Sequence, residues 1–216
     1  MRLVVMAKHP AVGRVKTRLA AEIGPERATA LYRAFLQDLA DRLRRLEPTI
    51  ETWWAHWPPQ APFGDVVARA RIFPQRGRDL GARLHGAMER VRSGTSGAVA
   101  AIGADAPHIP EEALHACGEA LAGGADLVLG PATDGGYYLI GTRTSQPHLF
   151  EDMPWGTASV CEVTRARARR ARLRVNELPE LADVDDLRGL RALVDALHRA
   201  PGSLPRTERL LADDPP

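Results

Sequence analysis

The stretch MAKHPAVGRVKTRLA (6–20) places Lys8, His9, Arg14, Lys16 and Arg18 in one loop, with no acid before Glu22. Lys8 and Lys16 are the only lysines in a chain that otherwise spells its cations as arginine. A lysine is a compact charge on a flexible stem and suits a phosphate oxygen. Gly13 permits close backbone approach, so Gly13, Arg14, Lys16 and Arg18 together suit a polyphosphate and the neutralisation of a departing pyrophosphate. The spacing is not that of GxxxxGK[ST], because Gly13 precedes Lys16 by three positions, and no GxGxxG occurs. A solvated basic loop is the plain alternative; the single sign of the charges favours the ligand reading.

The second group is acidic. Asp105 closes the apolar run GAVAAIGAD (97–105), where a carboxylate suits Mg²⁺ or Mn²⁺ shared with phosphates. ADVDDL (182–187) offers Asp183, Asp185 and Asp186. In an extended segment Asp183 and Asp185 project to one side and suit a divalent metal; Asp185 or Asp186 could equally cap the helix that follows. The two readings are compatible. Carboxylates sharing one site unpaired repel one another, so Asp105→Asn is expected to leave the fold intact or slightly more stable without metal. The third group, Asp134-Gly135-Gly136, is a turn signal between two apolar runs. Its paired glycines would let a substrate approach backbone N–H groups, which is more than a hairpin alone requires.

These residues need a scaffold that brings distant loops together. Apolar runs at 2–7, 49–55, 71–75, 97–105, 125–132, 137–143 and 172–178 read as strands. Between them lie helical patterns: one opened by Gly24-Pro25 and stopped by Pro48, one marked by Leu80, Leu84, Met88 and Val91, and one started by Pro110-Glu111-Glu112. Further helices are expected around 157–171 and 186–199. The alternation predicts a single Rossmann-like α/β domain over 1–199, with a mostly parallel sheet and helices on both faces. Such sheets bind ligands at the carboxyl ends of their strands, where the three groups fall. The Pro-rich tail, 200–216, is expected to be poorly ordered.

With 216 residues and a formal net charge of +2, the chain has no global field to mark a nucleic-acid binder. The six arginines of RARARRARLR (165–174) wrap around a helix and read as a solvated surface. Cys117 and Cys161 have no metal or CxxC spacing and read as buried thiols. No signal peptide or membrane-length apolar run is visible, so a cytoplasmic location is expected. Trp53, Trp54 and Trp57 read as core residues rather than a base-stacking platform, and His108 is a weak candidate for a pocket wall beside Asp105.

The motifs AKHPAVGRVKTRLA, GRDLGARLHGAM, IGADAPHIP, LGPATDGGYYLIG, PWGTASV and LADVDDLRGL together resemble the nucleotide-diphospho-sugar transferases. Within these they are most similar to a bacterial family labelled glycosyltransferase or selenodomain-associated transferase. The molybdenum-cofactor and phospholactate guanylyltransferases are more distant relatives. The resemblance runs in order over roughly residues 1–190. It implies a glycosyltransferase-A-type fold, a nucleotide, a small-molecule acceptor and a divalent cation, Mg²⁺ or Mn²⁺. It also implies a nucleotide-binding start at Ala7, Gly13, Lys16 and Arg18. Lys8 and Arg14 are expected to join that start, and Lys16 and Asp105 are expected to be catalytic. Asp105, Asp183 and Asp185 would hold metal, and Asp134, Gly135 and Gly136 would lie on the acceptor side. Ala104 and Ala106 stand where Ser and Cys are usual in that family, and Arg78 where Gly is usual. Nucleotidyl transfer with release of pyrophosphate is the favoured expectation, glycosyl transfer from a nucleotide sugar the alternative, and a non-catalytic nucleotide sensor a third reading.

Overall fold

The structure is a computed structural model describing residues 1–47, 49–93 and 97–214. Pro48, the expected stop of the first long helix, lies outside them. The chain runs β1 (Arg2–Lys8), α1 (Thr17–Ile23), α2 (Pro25–Arg45), β2 (Glu51–Trp57), β3 (Arg71–Pro74), α3 (Leu80–Arg92) and β4 (Val99–Gly103). It continues through α4 (Glu111–Ala122), β5 (Leu127–Pro131), β6 (Tyr137–Thr142), α5 (Val160–Arg170), β7 (Val175–Glu177), α6 (Leu187–Arg199) and α7 (Pro205–Asp213).

The strands form one seven-stranded sheet in the order β3-β2-β1-β4-β6-β5-β7. β1 pairs parallel with both β2 and β4, and β6 runs antiparallel to both β4 and β5. The result is a mostly parallel, Rossmann-like α/β sheet. From β1 the chain first builds outward through β2 and β3, then returns to lay β4 on the other side of β1. The topological switch point, where such sheets open a crevice, is therefore between the carboxyl ends of β1 and β4.

β1 is apolar on both faces because both are covered. Leu3, Val5 and Ala7 join one core with Leu31, Phe35 and Leu39 of α2. Val4 joins a second core with Leu84 and Met88 of α3. Helix α2 begins with Pro25 at its first position and Glu26 in its first turn, and ends among Arg42, Arg44 and Arg45, an order the macrodipole favours. No helix among the described residues is long and apolar enough to cross a membrane. Both cysteines are buried and free, Cys117 on α4 and Cys161 on α5. Burial pushes the Cys117 thiol up to about 12.

Two elements differ from the sequence expectation. The stretch 17–23, read as basic loop, is helix α1. The tail, expected to be poorly ordered, carries α7, docked on α2. The physical reason is a long-range cap. Asp38, a buried carboxylate in mid-α2, accepts hydrogen bonds from Thr207 N (2.9 Å), Thr207 Oγ1 (2.8 Å) and Arg206 N (3.2 Å) at the start of α7.

Candidate nucleotide site

Three backbone hydrogen bonds draw the loops at the switch point together. Ala104 N donates to Met6 O (3.1 Å), Val184 N to Asp105 O (3.0 Å) and Leu19 N to Asp185 O (3.0 Å). They join the ends of β1 and β4, the start of α1 and the 181–186 segment. That segment is extended and bridges Ala132 through Leu181. Val184 is fully buried, whereas Asp183 and Asp185 both line the cavity on the other side, as the alternation requires. Asp186 separately caps α6, accepting from Gly189 N at 2.8 Å. ADVDDL thus caps α6 through Asp186 and turns Asp183 and Asp185 together to the cavity side.

Lys16 is the hinge of this arrangement. It sits at the N-cap of α1 in the left-handed region, with φ of 49°, a conformation that costs about 1–2 kcal/mol in a residue with a side chain. Its ammonium donates to both Asp105 Oδ1 and Asp185 Oδ1, the latter at 2.9 Å, and lies 5.4 Å from the Tyr32 ring centroid. The Lys16 side chain is only 2% exposed, while those of Asp105 and Asp185 are 52% and 44% exposed. The lysine therefore grips the carboxylates from behind and leaves them open to the crevice. Burial lowers the Lys16 pKa, but Asp105 and Asp185 outweigh it and leave the ammonium above its ordinary value. Desolvation likewise raises the Asp105 carboxyl, and Lys16 holds it below the usual carboxylate range nonetheless.

Lys16 lines the smaller cavity beside α1, with its ammonium taken by the two carboxylates. Lys8 lines both neighbouring cavities and Arg18 the smaller one. Ala7 lines the main cavity, but Gly13 and Arg14 line neither. The repulsion expected among the acids is relieved at Asp105 and Asp185 and kept at Asp183. Burial, then Asp185 and Asp134, push Asp183 up to about 6.

The main cavity, of about 320 Å³, opens at the switch point. Asp134 and Gly136 line its β5–β6 end; Gly135 does not. Gly135 has φ of +87°, and a Cβ there would lie 2.1 Å from Ala158 O, so this glycine permits close backbone packing. Asp134 Oδ1 accepts from Gly136 N (2.8 Å) and shapes the turn. His108 is not a cavity wall: burial, then Arg42, push its pKa down to about 4. Trp54 is core, but Trp57 lines the cavity together with Arg83, Tyr137 and Trp155, none of which sequence reasoning assigned to the site.

The donor chemistry fits a hard divalent cation. Asp105 and Asp185 each keep a carboxylate oxygen beyond the one Lys16 takes, and Asp183 lines the same cavity. Among the described residues no three His, Cys, Asp or Glu side chains form one metal cluster, so the three expected ligands do not close a site by themselves. Lys16 stands between two of them. This suits a Mg²⁺-type ion, which keeps waters and binds through one or two carboxylates plus substrate phosphates.

Comparison with known proteins places this geometry in a family. The model described as "Uncharacterized protein conserved in bacteria (DUF2064)" matches residues 30–157. The chain belongs to the DUF2064 family. A structure from Desulfovibrio desulfuricans G20, provisionally described as a nucleotide-diphospho-sugar transferase, is 31% identical over 98% of this chain and 97% of its own, with a TM-score of 0.86. The CMP:2-keto-3-deoxy-manno-octonic acid synthetase complexed with CTP shares the fold at 12% identity, covering 92% of this chain and 99% of its own, with a TM-score of 0.57. Rv0371c of Mycobacterium tuberculosis H37Rv, in complex with manganese, shares it at 14% identity, covering 90% and 98%, with a TM-score of 0.53. No functionally curated protein matches the DUF2064 chain.

Proposed function

We propose that this DUF2064 protein is a nucleotide-using transferase and that it transfers a nucleotidyl group from a nucleoside triphosphate to a small acceptor, releasing pyrophosphate. The observation that carries the reading is the pair Asp105 and Asp185, held side by side on buried Lys16 at the switch point and half open to the main cavity. Asp105 and Asp185, with Asp183 near them, would hold Mg²⁺ or Mn²⁺. A cation bound there neutralises phosphate charge as the bond to the leaving group breaks. Manganese in the complex of Rv0371c, a protein of the same fold, is consistent with such a site.

The protein's own groups divide the remaining work. Lys16 holds the two carboxylates in register and keeps Asp105 below the usual carboxylate range. Lys8 and Arg18 line the crevice, without an ion pair among the described residues, as cations for a polyphosphate. The β5–β6 turn, with Asp134 and Gly136, borders the end left for the acceptor. Tyr32 ties α2 to the site, its hydroxyl accepting from Lys8 N at 3.0 Å; burial, then Asp105, raise its pKa, so it stays protonated.

Glycosyl transfer from a nucleotide sugar is the second reading, favoured by the printed description of the Desulfovibrio relative. The two differ in what leaves. The test incubates the protein with each nucleoside triphosphate and each common nucleotide sugar, Mg²⁺ or Mn²⁺, and a panel of small acceptors. Pyrophosphate release dependent on acceptor supports nucleotidyl transfer; nucleoside diphosphate without pyrophosphate rejects it in favour of glycosyl transfer.

A further inference from the structure

The cavity crosses the carboxyl edge of the sheet, and its two halves differ in chemistry. The half beneath α1 and α2 holds Lys8, Asp105 and Asp185. The half beneath α3 is walled by Trp57, Leu80, Leu84, Tyr137 and Trp155 and carries a single guanidinium, that of Arg83. Arg83 lies in the first turns of α3, with its Cζ 4.5 Å from the Trp57 ring centroid. Tyr137 and Trp155 meet edge to face, 6.2 Å between centroids.

Two polar atoms in this half are buried without a hydrogen-bond partner among the described residues, Arg83 Nε and Tyr137 Oη. Among the described residues no carboxylate closes an ion pair with Arg83, although Asp79 at the N-cap of α3 feels its charge. The guanidinium, partly kept from water, is offset by that interaction and by its stacking on Trp57. Such a group is most readily satisfied by a ligand that brings acceptors to it. The walls say which kind. A polyphosphate is best held by several cations, and this half carries one guanidinium. Flat aromatic walls with one planar fork of donors suit a planar ring that carries two adjacent acceptors.

We propose that the α3 half of the cavity is the nucleobase subsite and that Arg83 is its specificity-determining residue, selecting bases with adjacent acceptors, guanine (O6/N7) or cytosine (O2/N3), over adenine and uracil. The inference rests on the nucleotide-using reading above and deepens it. It also fits the span of the cavity, with the base between Trp57 and Tyr137 and the phosphates toward Asp105.

The test is calorimetric titration of the full chain with GTP, CTP, ATP, UTP and inorganic tripolyphosphate, for wild type, Arg83→Lys and Arg83→Met. Wild type is expected to favour GTP or CTP over ATP and UTP. Both variants should bind that nucleotide roughly tenfold more weakly and lose the preference, since lysine keeps the charge but not the fork. Tripolyphosphate affinity should be unchanged in all three proteins, which also reports that the variants are folded. Variants that keep the wild-type preference overturn the assignment. So does a parallel loss of tripolyphosphate binding, which would make Arg83 a phosphate ligand, or an effect confined to the acceptor KM, which would make it an acceptor ligand. A wild type that binds tripolyphosphate but discriminates no base overturns this inference alone; a wild type that binds no nucleotide overturns the nucleotide-using reading with it.

Discussion

Lys16 Nζ donates to Asp185 Oδ1 at 2.9 Å, and the same ammonium holds Asp105, so one buried lysine joins three segments that meet only in the folded chain. The two carboxylates are held side by side by a cation that is itself almost fully buried.

The first prediction follows from stranding that cation. The double variant Asp105→Asn/Asp185→Asn leaves an almost fully buried ammonium without a counter-charge and is expected to cost about 3–5 kcal/mol. Asp105→Asn alone should cost less, because Asp185 remains, but it should not stabilise the protein as a model of unpaired, repelling acids requires. Denaturant unfolding of both variants checks this. A double variant as stable as wild type would remove Lys16 from the role of organiser.

A second prediction concerns pH. Asp183 is pushed up to about 6, by burial first and then by Asp185 and Asp134, whereas an unfolded Asp titrates near 4 (about 3.9). Between roughly pH 4 and 6 the folded chain therefore binds more protons, and its stability falls as pH rises through that window. Asp183→Asn should remove that fall and be about 1–2 kcal/mol more stable than wild type at pH 7. Asp105 acts in the opposite sense. Its depressed pKa contributes stability above the unfolded value, lost as pH falls through the folded one. Urea unfolding at intervals from pH 3 to 7 separates the two. An unchanged slope between pH 4 and 6 in Asp183→Asn would assign the titration elsewhere.

The C-terminal helix supplies a third. Asp38→Ala removes the buried acceptor of Thr207 N, Thr207 Oγ1 and Arg206 N, and should cost about 2–3 kcal/mol. The loss should appear first as faster amide exchange over 205–213. Uniform exchange with no local effect there would show that α7 docks by its apolar face alone.

A fourth separates packing glycines from permissive ones. Gly135→Ala drives a Cβ against Ala158 O at a positive φ and should cost more than about 2 kcal/mol. Gly13→Ala meets nothing within 4 Å and should cost about 1 kcal/mol, the backbone penalty alone. Equal thermal shifts in the two variants would contradict the close approach at Gly135.

Much of the frame was legible because it is local. The run that became β1 is mostly apolar and that of β4 wholly so, and Pro25 with Glu26 marks the start of α2. What escaped depends on partners far away in the chain. Helix α7 spans nine residues; Pro205 and Glu208 mark its start locally, but its docking depends on Asp38, far away in the chain. Helix α1 starts at a lysine in the left-handed region with no side-chain cap. At the site, Lys16, Asp105, Asp183 and Asp185 stood out by type and spacing, but charge spacing does not reveal that a lysine faces acids rather than phosphate. Gly13 and Arg14 share Lys16's loop yet line neither neighbouring cavity, because sequence proximity does not set direction. Arg83 gave no signal in an arginine-rich chain, and Trp57 resembled its core neighbour Trp54 until β2 ended at the cavity.

The most direct test of the account is calorimetric titration of wild type and Asp105→Asn with nucleoside triphosphates and nucleotide sugars, each with Mg²⁺, with Mn²⁺ and without metal. Wild type should bind at least one of them in a metal-dependent way. The folded variant should bind it at least tenfold more weakly, a loss in line with about 1.5–3 kcal/mol for a hydrogen bond to a charged group. Absence of binding to any nucleotide, or equal affinity in the two proteins, would contradict the assignment of Asp105 and its lysine-held partner to a nucleotide site.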